Sequence, residues 1–355
     1  MLTRLLDALR GRPDGGPAQA RAGAPGREKE GGAGRAAAPQ GPAFPPLAPE
    51  PALPHPSAMA DAWRQQLART TIALRERYPA DDDPHARAAR GHAERLLVQV
   101  AVDLDMVVRQ PAPAAQEALA VAGDPQCELP ALVRVVERDP AVTRGLMRHA
   151  SSVMFAASGP PASLDDAVRR LGAKGVQVAV LAGMTEALLS GGAGPYAPDA
   201  ESVWAHMVRV GPLARSLARG FDVPTHEAFL MGLLHDVGKL VLFDILSNLR
   251  AELRRDVELP EALAADALRE LHEPLGGLAL LRWGVDPRAA WAVAHHHRRG
   301  PEGAAAGRRS ELLYVAERLD RARVRRQPVD VPAWVEEGRL TVPVERVQAA
   351  VERAP

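Results

Sequence analysis

The sequence has a single cysteine, Cys127, and few aromatic side chains, which make up 4% of its 355 residues. One thiol cannot form an internal disulfide, so we expect the protein to work in a reducing compartment, the cytoplasm. Lysine is also scarce, because Lys29, Lys174 and Lys239 are the only three and arginine supplies the other positive charges. With 44 basic and 44 acidic residues the formal net charge is zero, so no global field draws the chain to nucleic acid or anionic lipid.

Long apolar runs are missing too. No stretch approaches the ~20 apolar residues of a membrane span, and the first ten residues are too short and too charged for a signal peptide. The sequence has neither a helix-turn-helix signature nor a stripe of basic and aromatic residues, so we expect no direct binding of nucleic acid. The remaining classes are enzymes and protein-binding modules.

Strict alternation of apolar and polar residues, the pattern of strands, is also absent, whereas apolar residues recur at helical spacing, as in Trp63, Leu67, Leu74 and Tyr78. The fold class we predict is all-α. Residues 1–57, rich in Gly, Ala and Pro, are expected to be a disordered leader. Residues 58–124 are expected to be an accessory helical segment, 125–325 the main domain, and 326–355 a C-terminal tail that packs loosely.

The most informative motif is His235-Asp236-Val237-Gly238-Lys239, which follows the apolar residues 229–234. This apolar context predicts that the imidazole and the carboxylate lie side by side on a buried helix. Burying such groups is costly unless they are paired or bound to an ion. A hydrogen-bonded core pair is the simple interpretation, and a metal site is the alternative.

Four stretches between residues 126 and 300 follow one another in a characteristic order. The first begins with Asp139-Pro140 and ends with Leu171-Gly172, and the others are residues 203–206, 232–240 and 281–296. In combination they resemble the HDOD domain, which is similar in fold to the HD-type metal phosphohydrolases. The resemblance implies an HD-superfamily helical bundle. HDOD domains usually act as output or scaffold modules in bacterial signalling.

The resemblance also implies a set of metal ligands. In HD phosphohydrolases a helical histidine, the His-Asp doublet and a later aspartate bind one divalent ion. His206, on a helix expected over residues 202–221, matches the first position, and His235 and Asp236 match the doublet. Glu317 occupies the place of the later acid, and Asp320 is the alternative. Mn, Fe or Mg is the implied ion, which would lower the pKa of bound water.

Three more histidines resemble the further ligands of the two-metal branch, the HD-GYP cyclic-dinucleotide phosphodiesterases: His272, His295 and His296. Lys239 matches a position that contacts a substrate phosphate in that branch. The sequence departs from the branch in two ways. Ser202 stands where the branch has a glutamate ligand, and the Gly-Tyr-Pro signature does not follow the histidine run.

Two functions follow from these features. The first is a non-catalytic signalling output or scaffold module that binds one or more signalling proteins. In this interpretation no residue has a catalytic role. The second is a metal-dependent phosphohydrolase that acts on a nucleotide or cyclic dinucleotide. The two departures from the HD-GYP pattern favour the first.

Overall fold

The computed structural model describes residue 44 and residues 47–78, 108, 110–151, 160–190, 196–253, 261–297 and 306–354. Within these ranges every regular element is a helix, which confirms the all-α prediction. The helices are α1 (Pro56–Arg77), α2 (Pro113–Gly123), α3 (Leu129–Glu137), α4 (Pro140–Ala150), α5 (Leu164–Ser190), α6 (Ala197–Leu217), α7 (Thr225–Leu234), α8 (Val237–Leu253), α9 (Glu261–Arg282), α10 (Pro287–Val293), α11 (Arg308–Val324), α12 (Val331–Gly338) and α13 (Val344–Glu352). None of these helices is long and apolar enough to cross a membrane.

Helix α1 forms where the apolar spacing predicts it. Pro56 fits the first turn, where its missing N–H costs nothing, and Met59, Trp63, Leu67 and Leu74 make one buried stripe. This stripe packs along α9. The second predicted helix, which starts at Asp83-Pro84, lies outside the described residues.

Helix α7 is the centre of the bundle. Every residue from Ala228 to Leu234 is buried, and α7 packs against α5, α6, α10 and α11. Helix α8 follows after two residues and packs on α9. Helices α2 to α4 form a second layer around α5. The Asp139-Pro140 pair starts α4 as its spacing suggests, because the Asp139 carboxylate accepts hydrogen bonds from the N–H groups of Ala141 and Val142.

Two expectations need correction. The helix that carries His206 spans Ala197–Leu217 rather than residues 202–221. Residues 326–355 do not pack loosely, because they contain α12 and α13, whose Trp334 and Val347 are buried in the core. Residues 1–43 lie outside the described part of the chain, whereas residues 47–55 have no regular structure and Glu50 pairs with Arg309.

Candidate metal centre

The His-Asp doublet lies in the break between α7 and α8, and not within one helix as the sequence suggested. Helix α7 ends at Leu234 and α8 begins at Val237. Adjacent residues of a continuous helix point ~100° apart, and the break lets both side chains face one cluster. His235 is fully buried and Asp236 is 1% exposed.

A close contact of α7 with α6 brings His235 to His206. A Cβ atom added at Gly232 would lie 2.9 Å from the carbonyl oxygen of Val210 and 2.7 Å from the Cβ of Ala214, so only glycine permits this approach. As a result, the Nε2 atoms of His206 and His235 are 3.2 Å apart.

These two rings belong to a first group of four possible ligands, His206, His235, Asp236 and Glu317. The Oε1 atom of Glu317, on α11, lies 3.7 Å from Nε2 of His206 and 3.5 Å from Nε2 of His235. Nε2 of His235 is also 3.5 Å from Oδ2 of Asp236. Metal–ligand bonds of ~2.1 Å put neighbouring ligand atoms about 3.0–3.5 Å apart. The first group has nearly this spacing.

A second group consists of Asp236, His272, His296 and His297. Oδ1 of Asp236 lies 3.6 Å from Nε2 of His272 and 3.7 Å from Nε2 of His296. Asp236 therefore uses one carboxylate oxygen toward each group. Gly238 allows α8 to approach α9 here, since a Cβ atom on Gly238 would lie 1.9 Å from the carbonyl oxygen of His272.

Hydrogen bonds to backbone carbonyl oxygens fix the orientation of two rings. Nδ1 of His235 lies 2.8 Å from the carbonyl oxygen of Gly232, and Nδ1 of His296 lies 2.6 Å from that of Val293. A carbonyl oxygen only accepts, so each Nδ1 carries the proton and donates it. Each Nε2 is thereby directed at the cluster, which is the arrangement of imidazoles that bind metals.

His206 is oriented by a carboxylate. Its Nδ1 lies 2.7 Å from Oδ2 of Asp320, and Arg209 holds that carboxylate from the other side through Nε, 2.8 Å from Oδ1. Asp320, the alternative last acid, is therefore outside both groups and contacts the far side of a ligand ring. Glu317 is the acid that faces the cluster.

The acids of the cluster are held in the ionised form. Burial opposes ionisation of Asp236, but Lys239, with Nζ 2.6 Å from Oδ2, and His235 hold the pKa of Asp236 well below its usual range. Burial likewise opposes the charge of Glu317, and His297 and Arg321 lower its pKa. The clustered carboxylates are therefore available as anionic ligands.

The pKa values of His272 and His235 are shifted in opposite directions. Burial lowers the pKa of His272 well below its usual value, and nearby Lys239 lowers it further. Burial would also lower the pKa of His235, but Asp236 and Glu317 raise it to about 10. His272 is thus neutral, as a metal ligand must be, whereas an ion at the first group would have to displace a proton from His235.

Two buried atoms support the fit of a metal to this donor set. Neither Oδ1 of Asp236 nor Nε2 of His272 has a hydrogen-bond partner, although both are shielded from solvent. Buried polar atoms in native proteins almost always have a partner. A cation between Asp236 and His272 would satisfy both atoms.

The structure brings together all but one of the residues that the sequence predicts as metal ligands. The groups contain six of the seven predicted residues, namely His206, His235, Asp236, His272, His296 and Glu317. His295 belongs to neither group, because its ring packs on Trp291 with centroids 4.1 Å apart. Sequence reasoning missed His297. No helical spacing marks His297 in the sequence, because the helix ends at Val293 and residues 294–297 form a turn.

The cluster lies at the base of a cavity of about 750 Å³. Lys239, the predicted phosphate contact, lines this cavity together with Arg209 and Arg321, and Phe243 and Leu268 add apolar surface. Asp266 and Asp320 also line it, so the cavity presents cationic, anionic and apolar side chains.

Comparison with known proteins agrees with this architecture. The family model of the HDOD domain matches residues 109–299. An uncharacterized protein of Treponema pallidum (strain Nichols) is 22% identical over 184 residues, which cover 49% of this chain and 34% of the relative. The chain therefore spans about a third of the length of that relative.

Two solved structures share the fold. A protein from Marinobacter aquaeolei VT8, provisionally named a signal transduction protein, aligns with a TM-score of 0.50 and 23% identity over 79% of this chain and 65% of its own. A protein from Shewanella amazonensis SB2B, provisionally named a phosphohydrolase, aligns with a TM-score of 0.50 and 19% identity over 72% of this chain and 93% of its own.

Proposed function

The chain belongs to the HDOD domain family, and from this premise we propose that it is a metal-binding output or scaffold module of bacterial signal transduction that does not turn over a substrate. The observation that carries the proposal is the pair of ligand groups that share Asp236. One or more signalling proteins are the proposed partners, and the cytoplasm is the proposed compartment.

The donor types indicate which ions would bind. The first group offers two imidazole nitrogens and two carboxylate oxygens, and the second offers three imidazoles and one carboxylate. Imidazole suits iron, whereas manganese and magnesium suit carboxylate and water ligands. Among the ions that the family resemblance implies, we therefore propose Fe for the second group, which has three imidazoles, and Fe or Mn for the first group, which has two carboxylates.

The two departures from the HD-GYP pattern favour binding without turnover, since Ser202 stands where that branch has a glutamate ligand and the Gly-Tyr-Pro signature does not follow the histidine run. Each group has four candidate ligands, and because Mn and Fe commonly have octahedral coordination, the number of protein ligands leaves room for water and does not decide the question. In this proposal the ions fix the walls of the cavity.

A metal-dependent phosphohydrolase is the second candidate, and the cavity above the cluster favours it. A bound ion would supply a water molecule of lowered pKa. Lys239 would contact a phosphate of a nucleotide or cyclic dinucleotide, and Arg209 and Arg321 would add positive charge at the cavity wall. Phe243 would pack against an apolar or planar part of the substrate.

We also propose the division of the chain into residues 1–57, 58–124, 125–325 and 326–355. Helix α1 supports an accessory segment, since it precedes the family match, which begins at residue 109. Helix α13 packs on α6 of the main domain, so the last segment in this proposal is a structural extension of the bundle.

Elemental analysis tests the metal proposal. After dialysis with Mn we expect about two ions per wild-type chain and none in Asp236→Asn. The control is Asp165→Asn, which changes an exposed carboxylate paired with Arg169 and should bind as many ions as the wild type. Less than a tenth of an ion per wild-type chain would refute metal binding. Hydrolysis of a nucleotide panel at ~1 s⁻¹ or faster, the lower end of usual enzyme rates, would refute the absence of turnover and establish the second candidate.

A further inference from the structure

Helix α1 contacts the part of the bundle that carries the second ligand group. Trp63, which is 2% exposed, lies on α9 at Gly277. A Cβ atom on Gly277 would lie 2.9 Å from Cζ3 of Trp63 and 2.8 Å from the Cβ of Ala294. Since Gly277 comes five residues after His272, the indole lies within about two helical turns of a candidate ligand.

The same indole completes an aromatic cluster behind the histidine run. The ring centroid of Trp63 is 6.1 Å from that of Trp291 and 6.2 Å from that of His295. His295 is 8% exposed, and its Nδ1 donates a hydrogen bond to the carbonyl oxygen of Trp291, 2.7 Å away. The next two residues along the chain are the candidate ligands His296 and His297.

We propose that Trp63 is a positioning residue for the second ligand group, and that the docking of α1 sets the affinity of that group for its ion. The proposal rests on the metal binding proposed above. Residues 294–297 form a turn after α10, in which the N–H of His295 donates to the carbonyl oxygen of Ala292 and the N–H of His297 donates to Oε1 of Glu273, 2.8 Å away. Packing of His295 against Trp63 and Trp291 adds side-chain contacts behind this turn, so the positions of His296 and His297 depend on the indole as well as on these hydrogen bonds.

The effect is confined to one group. The residues of the first group lie on α6, on α11 and in the break before α8, whereas α1 packs along α9. Asp236 is common to both groups, but Trp63 reaches the second group only through α9 and the 294–297 turn. Because α1 precedes the family-matched residues 109–299, a signal received by the N-terminal segment can change one ion site and leave the other intact.

The test compares Trp63→Ala with Leu74→Ala in the full chain. Leu74 is equally buried on α1 but lies about 16 Å farther along the helix. In calorimetric titration with Mn, Trp63→Ala is expected to lower the affinity of the second ion about 10–100-fold and leave the first within twofold. Leu74→Ala is expected to lower the melting temperature without changing the ratio of the two affinities. Equal weakening of both ions in Trp63→Ala would overturn the proposal.

Hydrogen exchange separates this inference from the metal proposal. Without added metal, the amides of residues 294–297 are expected to exchange at least tenfold faster in Trp63→Ala than in Leu74→Ala. If the wild type binds no ion, the metal proposal fails. Independently of that result, an unchanged exchange rate at residues 294–297 in Trp63→Ala would refute the positioning role of Trp63. Trp63→Phe, which retains a ring and should fold even if the alanine variant does not, is expected to show the same effects at smaller size.

Discussion

Replacing Gly238 by alanine gives the sharpest test of how the cluster is assembled. The added Cβ atom would lie 1.9 Å from the carbonyl oxygen of His272 and 2.7 Å from the backbone nitrogen of Gly276. Both are main-chain atoms of α9, so no side chain can rotate away to relieve the contact. Helices α8 and α9 must move apart.

The size of the effect follows from these distances. Real Cβ atoms essentially never approach closer than 3.0 Å, so the helices must separate by at least 3.0 − 1.9 = 1.1 Å at this point. Overpacking costs ~1–3 kcal/mol, and a clash with backbone belongs at the upper end. About 3 kcal/mol corresponds to a fall in melting temperature of roughly 6–12 °C. The separation also exceeds the ~0.2 Å tolerance of metal–ligand distances, so the second ion should be lost.

Gly183→Ala is the matched control, because a Cβ atom at Gly183 on α5 would meet nothing within 4 Å. It should raise stability by ~0.4–1 kcal/mol, since alanine restricts the unfolded chain. Differential scanning calorimetry and Mn titration measure both quantities. If Gly238→Ala melts within 2 °C of the wild type and still binds two ions, the close approach of α8 and α9 does not build the second group.

Three further predictions concern charge. Asp236→Asn should abolish binding of both ions. It should also lower the free energy of unfolding in urea by ~3–5 kcal/mol, because it leaves the ammonium of Lys239 without its buried partner. A variant that still binds one ion would contradict the shared role of Asp236. Asp320→Asn should lower the affinity of the first ligand group for Mn ~10–100-fold, because the ring of His206 loses the carboxylate that orients it. An equal loss of affinity at both groups would argue against this orienting role. Burial opposes the charge of Asp266, but hydrogen bonds from Tyr78 and Arg77 at the end of α1 lower its pKa. This contribution to stability is present above pH ~4 and disappears as the pH falls further. The hydrogen-exchange protection factors of the α1 amides, which are corrected for the pH dependence of intrinsic exchange, should therefore fall below pH ~4, and protection factors that stay constant down to about pH 3 would refute the coupling.

Sequence patterns predict helices well where a helix has one buried face. Helix α1 is such a case, because Trp63, Leu67 and Leu74 recur on a single stripe. The pattern fails at α7, where every residue from Ala228 to Leu234 is buried. A helix buried on all sides has no periodicity that marks its end, so the break at the His-Asp doublet could not be located from the sequence.

The sequence predicted which residue types form the ligand groups better than it predicted which of several neighbouring residues faces the cluster. Six predicted residues fall in the two groups because the family resemblance fixes their order along the chain. Three consecutive histidines, however, all have the same chemistry, and only packing against Trp63 and Trp291 distinguishes His295 from His297. Likewise, Glu317 and Asp320 share a helical face, and the guanidinium of Arg209 distinguishes them by binding Asp320.

The complete site requires parts of the chain on both sides of the family-matched residues 109–299. Glu317, the fourth residue of the first group, lies on α11 after that match, and so does Asp320, which orients His206. Trp63, which packs behind the second group, lies before it. Residues 109–299 alone would leave the first group with Asp236 as its single carboxylate, and one buried carboxylate balances less of the charge of a divalent ion than two. The unit that we propose to hold two ions therefore extends at least from α1 to α11.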